Sequence, residues 1–559
     1  MNNSVINFIK SSLKEINPWH NIRTLHTNIW GDIIAGITVA IIALPLALAF
    51  GEMSKLGALA GVWGAIAGGI VGGLFGGCMV GVSGPTGPKA AQIGAFMGAF
   101  VLAGTNDPDL VAAFSIIFLS GVILVIISLL KISQFIHYIP YSVVAGFMCG
   151  IGVLVITTQL NAFMGVDEDK SFLYALQNFN INALYVSVPS LLILFLWSYI
   201  KNFNQIFSKV PAPLLALSVG SFIAYVMNLD ITYIVVDTEG DILDYKEPDL
   251  TRLKEFLGPA FALAGLAILD SLLSCVVADN MTRKRHSSDR ETFGQGMANI
   301  AAGLVGGVTT ATATMRTVAN IKFGAKTPLA SIVHGYTLLV ILLGLGFLVE
   351  SIPTACLAAI LFKVGIEIMD YRIMPVLRKL PYIDLLVFSI VLFVTVYADL
   401  MIAVFIGVVL IIVKSFKEIM LTFQGKYTHK FNDLLSSDFS FSDSKKQMLS
   451  KIPISVLKPD GPLFFGSFEI LMKKYDSDSG HKVLIIDLKD VTKVDLSGAY
   501  AMEDFIYNEE SKDIKVYVVN INSKINKMLD RLDFTKNIGS NCYQKSTSSL
   551  FDTILKELS

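Results

Sequence analysis

Three ionisable side chains, Lys89, Asp270 and Arg316, stand inside runs apolar enough to lie in a membrane. A charge at that depth costs at least about 2.5 to 3.5 kcal/mol, so three of them imply a use. Lys89 belongs to "SGPTGPKAA", residues 83–91, which also holds Pro85, Pro88 and two glycines. Such breakers interrupt a span only where the freed backbone groups are buried in protein or line a polar cavity. The stretch therefore predicts a half-helix starting inside the membrane near Thr86. Arg316 belongs to "TTATATMRT", residues 309–317, a Thr-rich, breaker-like stretch ahead of a second short helix. Two such N-termini facing each other would each offer free N–H groups and roughly half a positive charge, which favours an anion. Lys89 and Arg316 would add full positive charges there. Plainer roles stand beside this one: Lys89 neutralised by Glu52 or Asp270, and Arg316 extended to the cytoplasmic surface.

Asp270 lies in "LAILDSLLSCVVADNMT" with Ser274 one turn later on the same helix face. A carboxylate and a hydroxyl are hard oxygen donors of the kind alkali cations prefer. The pair reads as a coupling sodium site, as a protonatable carrier acid, or as a salt bridge to Lys89 or Arg316 with no ion. Asp279 and Glu291 sit nearer the basic loop "TRKRH" (282–286) and read as surface partners of Arg283 and Arg285.

The elements that must position these groups are membrane spans. Of the 559 residues, 53% are hydrophobic and 16% charged, too apolar for an ordinary soluble domain. Apolar runs predict spans at 33–52, 57–76, 86–103, 110–131, 138–163, 183–200, 212–228, 256–278, 291–307, 313–323, 328–349, 352–370, 382–398 and 400–421. With the N-terminus cytoplasmic, the acid-rich loops at 104–109, 165–170 and 237–249 fall outside. The loops carrying Lys131, Lys201, Lys209, "TRKRH", Lys322, Lys326, Arg372, Arg378 and Lys379 fall inside, as the positive-inside rule requires. Residues 1–30 have no apolar core of their own and read as an amphipathic cytoplasmic lead-in; 31–423 form the transport domain. The five cysteines are scattered, without metal-ligand spacing, and read as packing residues. Within the membrane part, "GGLFGGCMVGVSGPTGP" from Gly72 aligns with "AGLVGGVTTATATMRTV" from Ala302, an offset of 230 residues or about seven spans. An odd number of spans inverts one half relative to the other, the plan of many secondary transporters.

These stretches resemble the SulP anion transporters, and within them the BicA-type sodium-dependent bicarbonate transporters. The resemblance rests on "IALPLALAFG" (42–51), "GPTGP" (84–88), "DSLLSCVVADNMT" (270–282), "GQGMANI" (294–300) and "ATMRTV" (313–318), followed by a STAS-like tail. It implies a polytopic α-helical protein of fourteen spans in a seven-plus-seven inverted repeat, with core and gate domains. It implies an anion between the third and tenth helices with Thr86 among its ligands, Ala313 and Thr314 matching the ligands near the tenth helix, and sodium at Asp270 and Ser274. The residues themselves add Gly87, Lys89 and Arg316 to the anion site and Thr314 to the sodium site. Two departures stand out. Ser274 replaces an expected threonine and keeps the hydroxyl. Lys89 replaces an expected uncharged residue: it strengthens binding of a small anion, shifts preference toward sulfate, or pairs with Asp270 and displaces sodium.

Beyond 423 the composition turns polar, and 424–450, with "SSDFSFSDSKK" (436–446), reads as a linker. In 451–559, "VLIIDLKDV" (483–491) and "IKVYVVNIN" (514–522) read as buried strands, and 499–508 and 525–532 as helices, giving a small cytoplasmic α/β domain. "VDLSGAY" (494–500) resembles the STAS signature, with Ser497 at a phosphorylatable position; the plainer reading is that Asp495 or Ser497 caps the following helix. The expectation is an integral protein of the plasma (inner) membrane. It would carry one small inorganic anion, most simply bicarbonate with sodium, and have a homodimeric or regulatory tail. Proton-coupled sulfate or dicarboxylate transport and an anion channel are the alternatives. No catalytic set, organic cofactor, metal cluster or nucleic-acid-binding stripe is apparent.

Overall fold

The computed structural model describes residues 16–101, 109–133, 141–166, 172–200, 211–234, 245–282, 284, 286–345, 351–369, 377, 382–397 and 406. In the C-terminal part it describes 430–433, 452–463, 475, 480–510 and 513–531, with single residues beyond. By contact the chain divides into Met1–Ile136 with Met148–Met369, and His137–Phe147 with Asp370–Ser559.

The first unit is helical. A short α1 (Trp19–Thr24) leads to α2 (Ile29–Met53). Next comes α3 (Ala58–Ala67), which continues through a π-helical turn, Gly68–Gly72, to a last turn ending at Phe75. A two-residue strand β1 (Ser83–Gly84) precedes α4 (Gly87–Ala99), followed by α5 (Leu110–Leu129) and α6 (Tyr141–Phe163), of which the part from Met148 on belongs to this unit. Then come the short α7 (Phe172–Gln177), α8 (Ile181–Ile200), α9 (Ala212–Val226), α10 (Leu253–Thr282) and α11 (Ser288–Leu304). Strand β2 (Ala311–Thr312) precedes α12 (Thr314–Lys322), then α13 (Leu329–Leu345) and α14 (Thr354–Ile368). In the second unit α15 (Tyr382–Tyr397) is the described span. The last expected span, 400–421, lies outside the described residues apart from Ile406.

Length separates two kinds of helix. Segments such as Ile29–Met53, Leu110–Leu129 and Leu253–Asp279 are long and apolar enough to cross a bilayer. Helices α4 and α12, of 13 and 9 residues, would run only about 20 and 14 Å. They are the half-helices that the proline, glycine and threonine stretches predict. Their leading strands pair antiparallel, Ser83 with Thr312 and Gly84 with Ala311, so the repeats meet at their equivalent breaks.

Small residues bring the surrounding helices close. Helix α11 packs against α5 where Gly121 and Gly296 face each other: a Cβ on either would lie 2.6 to 2.8 Å from the other's carbonyl oxygen. Gly296→Leu is expected to force these helices apart, costing about 1–3 kcal/mol or more and lowering the melting temperature in detergent. A separate cluster joins α8, α9 and α14 through Val186, Ala224 and Cys356. The lead-in is more than a surface segment. Asn21 is buried and donates to the carbonyls of Gly73, Leu74 and Gly76, closing the C-terminal end of the α3 segment. Asp32 accepts from the Lys326 and Thr327 N–H groups and the Thr327 hydroxyl, joining α2 to the turn after α12.

In the second unit the tail is α/β. Strands β3 (Lys430–Asp433), β4 (Ile454–Lys458), β6 (Val483–Asp487) and β8 (Lys515–Val519) form one sheet in that order, parallel except for β3. Strands β5 (Gly461–Leu463) and β7 (Val491–Val494) pair separately. Helices α16 (Leu496–Glu510) and α17 (Ser523–Arg531) match the expected helical stretches. The segment expected as linker contains β3, whose polar "KFND" lacks the apolar run that marks a central strand and suits its place at the sheet edge. Asp495 Oδ1 accepts from Gly498 N at 2.7 Å and caps α16; Ser497 lies in that helix's first turn.

Candidate anion-binding site

Helix α4 begins after Thr86, whose backbone is extended. A threonine here would ordinarily bond the second or third N–H of the helix. The second helical residue is Pro88, which has no N–H, and the Thr86 hydroxyl makes no cap bond. Helix α12 begins after Ala313, which has no side chain with which to cap it. Both short helices thus present first-turn N–H groups without a side-chain cap.

The β1–β2 crossing is held by side chains from both repeats. The Val82 N–H donates to Thr317 Oγ1 at 3.1 Å, the Ala313 N–H to Val82 O at 3.1 Å, and Asn320 to Val80 O at 2.9 Å. Arg316 is 3% exposed and its guanidinium donates to the Pro85 carbonyl, excluding a role at the cytoplasmic surface. The same guanidinium lies against Gly84, at a place that a Cβ would fill. Lys89, fully buried one turn into α4, donates to the Thr310 carbonyl and, at 3.4 Å, to Asn299 Oδ1.

Asp270 is half-buried on α10 and feels the charges of both Lys89 and Arg316. Thr86 is the neighbouring hydroxyl, yet among the described residues Thr86 Oγ1 and Asp270 Oδ2 have no hydrogen-bond partner, so the two lie near each other without bonding geometry. Arg316 Nη1 is likewise buried and unpartnered. Ser274 donates to the Asp270 carbonyl at 2.8 Å, and its hydroxyl meets that of Thr314 at 2.7 Å. Thr314 itself is exposed, Ala313 is 9% exposed, and Gly87 packs where an added Cβ would meet Ile368 of α14. The structure thus brings the expected site residues to the start of the two half-helices. Ser497, in the tail, is described apart from them.

Several members of this polar assembly escape a reading of the sequence. Glu291, expected at the surface beside Arg283 and Arg285, is 2% exposed. Its carboxylate accepts from the Gly77 and Cys78 N–H groups at 2.8 and 2.9 Å, from Gln295 at 2.8 Å and from the Thr312 hydroxyl. Proximity to a basic loop suggests exposure, but the first turn of α11 faces inward. Asp279 meets His286 at 2.7 Å; Arg283 and Arg285 lie outside the described residues. Gln295 also donates to the Ser83 and Thr312 hydroxyls. Asn299, one turn on, accepts from Thr309 Oγ1 and Thr310 N and donates to Thr310 O. Two amides spaced by four in an apolar helix were the available signal. His334 on α13 is fully buried beside Gly69, with neither ring nitrogen partnered among the described residues. A cavity of about 420 Å³, lined by Cys78, Thr282, Lys284, His286 and Lys326 among others, lies beside the C-terminal ends of α10 and α12 and includes none of Thr86, Asp270 or Arg316.

Broken helices crossing in an inverted repeat, with cationic side chains at their tips, define an integral membrane anion transporter rather than an enzyme. The chain belongs to the sulfate permease (SulP) family, whose model matches residues 29–391; a STAS domain model matches residues 446–549. It is 31% identical over 550 residues to the bicarbonate transporter BicA of Picosynechococcus sp., covering 94% of this chain and 95% of that one. Among solved structures it is similar to the transmembrane domain of a cyanobacterial BicA. That match has 33% identity and a TM-score of 0.62, and covers 67% of this chain and 97% of the other. The overall structure of SLC26A9 matches 98% of this chain and 94% of its own, at 17% identity and a TM-score of 0.65, and so shares the fold. The fold class is the expected fourteen-span inverted repeat with a C-terminal STAS domain.

Proposed function

We propose that this protein carries bicarbonate across the membrane by alternating access, the anion sitting between the N-termini of α4 and α12. The observation that supports it most is the buried, unpartnered pair of Thr86 Oγ1 and Arg316 Nη1 at the crossing of the two half-helices. Two donors left unbonded in a buried site are expensive unless a ligand takes them. The relatives named for bicarbonate favour that anion within a family named for sulfate. The first-turn N–H groups of α4 and α12, which no side chain caps, would face it, and Thr314 stands at the exposed side.

The test is uptake of labelled bicarbonate, sulfate and succinate into proteoliposomes containing the full chain. Saturable bicarbonate uptake, suppressed poorly by sulfate, is expected; sulfate or succinate carried in preference would replace this reading. Thr86→Val should lower bicarbonate uptake about tenfold, the worth of one hydrogen bond to a charged ligand. It should leave the melting temperature unchanged, because the hydroxyl has no protein partner to lose.

Coupling admits two readings. In the sodium reading, the ion would be held by the Asp270 carboxylate with the Ser274 and Thr314 hydroxyls, which the fold brings together. In the other, the core needs no free cation, and the buried Lys89 favours it. The plasma membrane, a cytoplasmic N-terminus and STAS domain, and homodimerisation through that domain complete the proposal. Phosphorylation of Ser497 would place nearly two negative charges at the start of α16 and alter such contacts.

A further inference from the structure

We propose that Lys89 is the resident cation of this transporter's core, its ammonium standing in for a coupling sodium, so that the anion is carried without sodium. The inference rests on the anion site lying at the half-helix crossing. Lys89 is fully enclosed, and its ammonium is fixed rather than tethered loosely. It donates to Thr310 O and Asn299 Oδ1, while Asn299 is itself fastened to Thr309, Thr310 and the Gln295 carbonyl. That network lies immediately before β2, in the backbone that leads into α12.

The donor set expected for sodium offers oxygens but only one negative charge. The Ser274 and Thr314 hydroxyls meet each other and Ser274 donates to the Asp270 carbonyl, which leaves oxygen lone pairs, so the local charge decides whether an ion is held. Asp270 Oδ2 has no partner among the described residues, but the carboxylate already lies in the field of two cations, Lys89 and Arg316. Glu291 keeps its negative charge among four neutral donors and is not one of the charges that Asp270 feels. Around Asp270 there are thus two positive charges against one negative. A monovalent anion brings that sum to zero, whereas a sodium ion added with it would leave a net positive charge in a site poorly screened by water. A cation that is part of the chain cannot dissociate on the other side. It therefore supports anion binding while contributing nothing to a sodium-driven gradient.

The test compares wild type and Lys89→Met as full chains, in proteoliposomes and in detergent. Labelled bicarbonate uptake is measured with sodium chloride or choline chloride outside at equal ionic strength, and thermal stability in the same two salts. Wild-type initial rates should agree within about twofold between salts, and sodium should give no stabilisation over choline. Lys89→Met should transport at least about tenfold faster in sodium than in choline and should melt higher in sodium. A wild type that slows about tenfold in choline, or that sodium stabilises, overturns the proposal. So does a Lys89→Met that transports at the wild-type rate with no response to sodium in either measurement. The wild-type arms decide if the variant does not fold. If wild type carries no bicarbonate in either salt, the bicarbonate reading fails, and the sodium response of the melting temperature still decides the role of Lys89.

Discussion

Arg316→Met should reduce anion uptake to below about one-hundredth of the wild-type rate, because the guanidinium both supplies charge at the crossing and ties the two half-helices together. Its bond to the Pro85 carbonyl fixes the start of α4 from the first turn of α12, and its second terminal nitrogen is free for a ligand. Methionine fills much of the volume but removes the charge and leaves the Pro85 carbonyl unbonded. Arg316→Lys keeps the charge without the planar fork that bonds in two directions at once, so uptake of about one-tenth is expected. Saturation curves from proteoliposomes check both variants. A lysine variant as active as wild type would show that only charge matters, and an active methionine variant would remove Arg316 from the site.

Glu291→Ala should abolish the folded protein rather than merely its activity. The carboxylate serves the backbone N–H groups of Gly77 and Cys78, and each buried donor left unsatisfied costs about 1–3 kcal/mol. The two together amount to about 2–6 kcal/mol, before the Gln295 and Thr312 bonds are counted, against a usual margin of about 5–15 kcal/mol. Glu291→Gln keeps one acceptor oxygen but turns an amide toward a donor, and should recover part of the stability. Size-exclusion profiles of heated, detergent-solubilised protein measure this directly. A monodisperse alanine variant with wild-type melting would show that these donors have found other partners.

The parts legible in the sequence were those whose cause is local. Prolines at 85 and 88 and the threonines from 309 to 314 cannot sustain a continuous span, so the breaks could be placed to within a residue or two. Their pairing followed from the repeat, since an offset of seven spans returns the second break to the level of the first. What stayed hidden depended on which way a helix turns. Glu291 lies one turn from a basic loop and reads as surface until α11 is seen to direct it at Gly77 and Cys78. Asn21 looked like part of a solvated lead-in, because nothing in its neighbours announces that it reaches three carbonyls some fifty residues away. Lys89 stands out in the sequence by its charge. Its partners, a backbone carbonyl and an amide 210 residues on, carry no signature that a single sequence displays.

The two-residue ladder between β1 and β2 also bears on how such a molecule can be altered. Ser83 and Thr312 share Gln295, and Arg316 reaches back to Pro85, so neither repeat can be altered at this crossing by itself. A larger side chain at one rung has to be met by a smaller one opposite. Attempts to change selectivity by transplanting a single short helix from a relative would therefore break the rung it left behind. The smallest interchangeable part is the crossed pair.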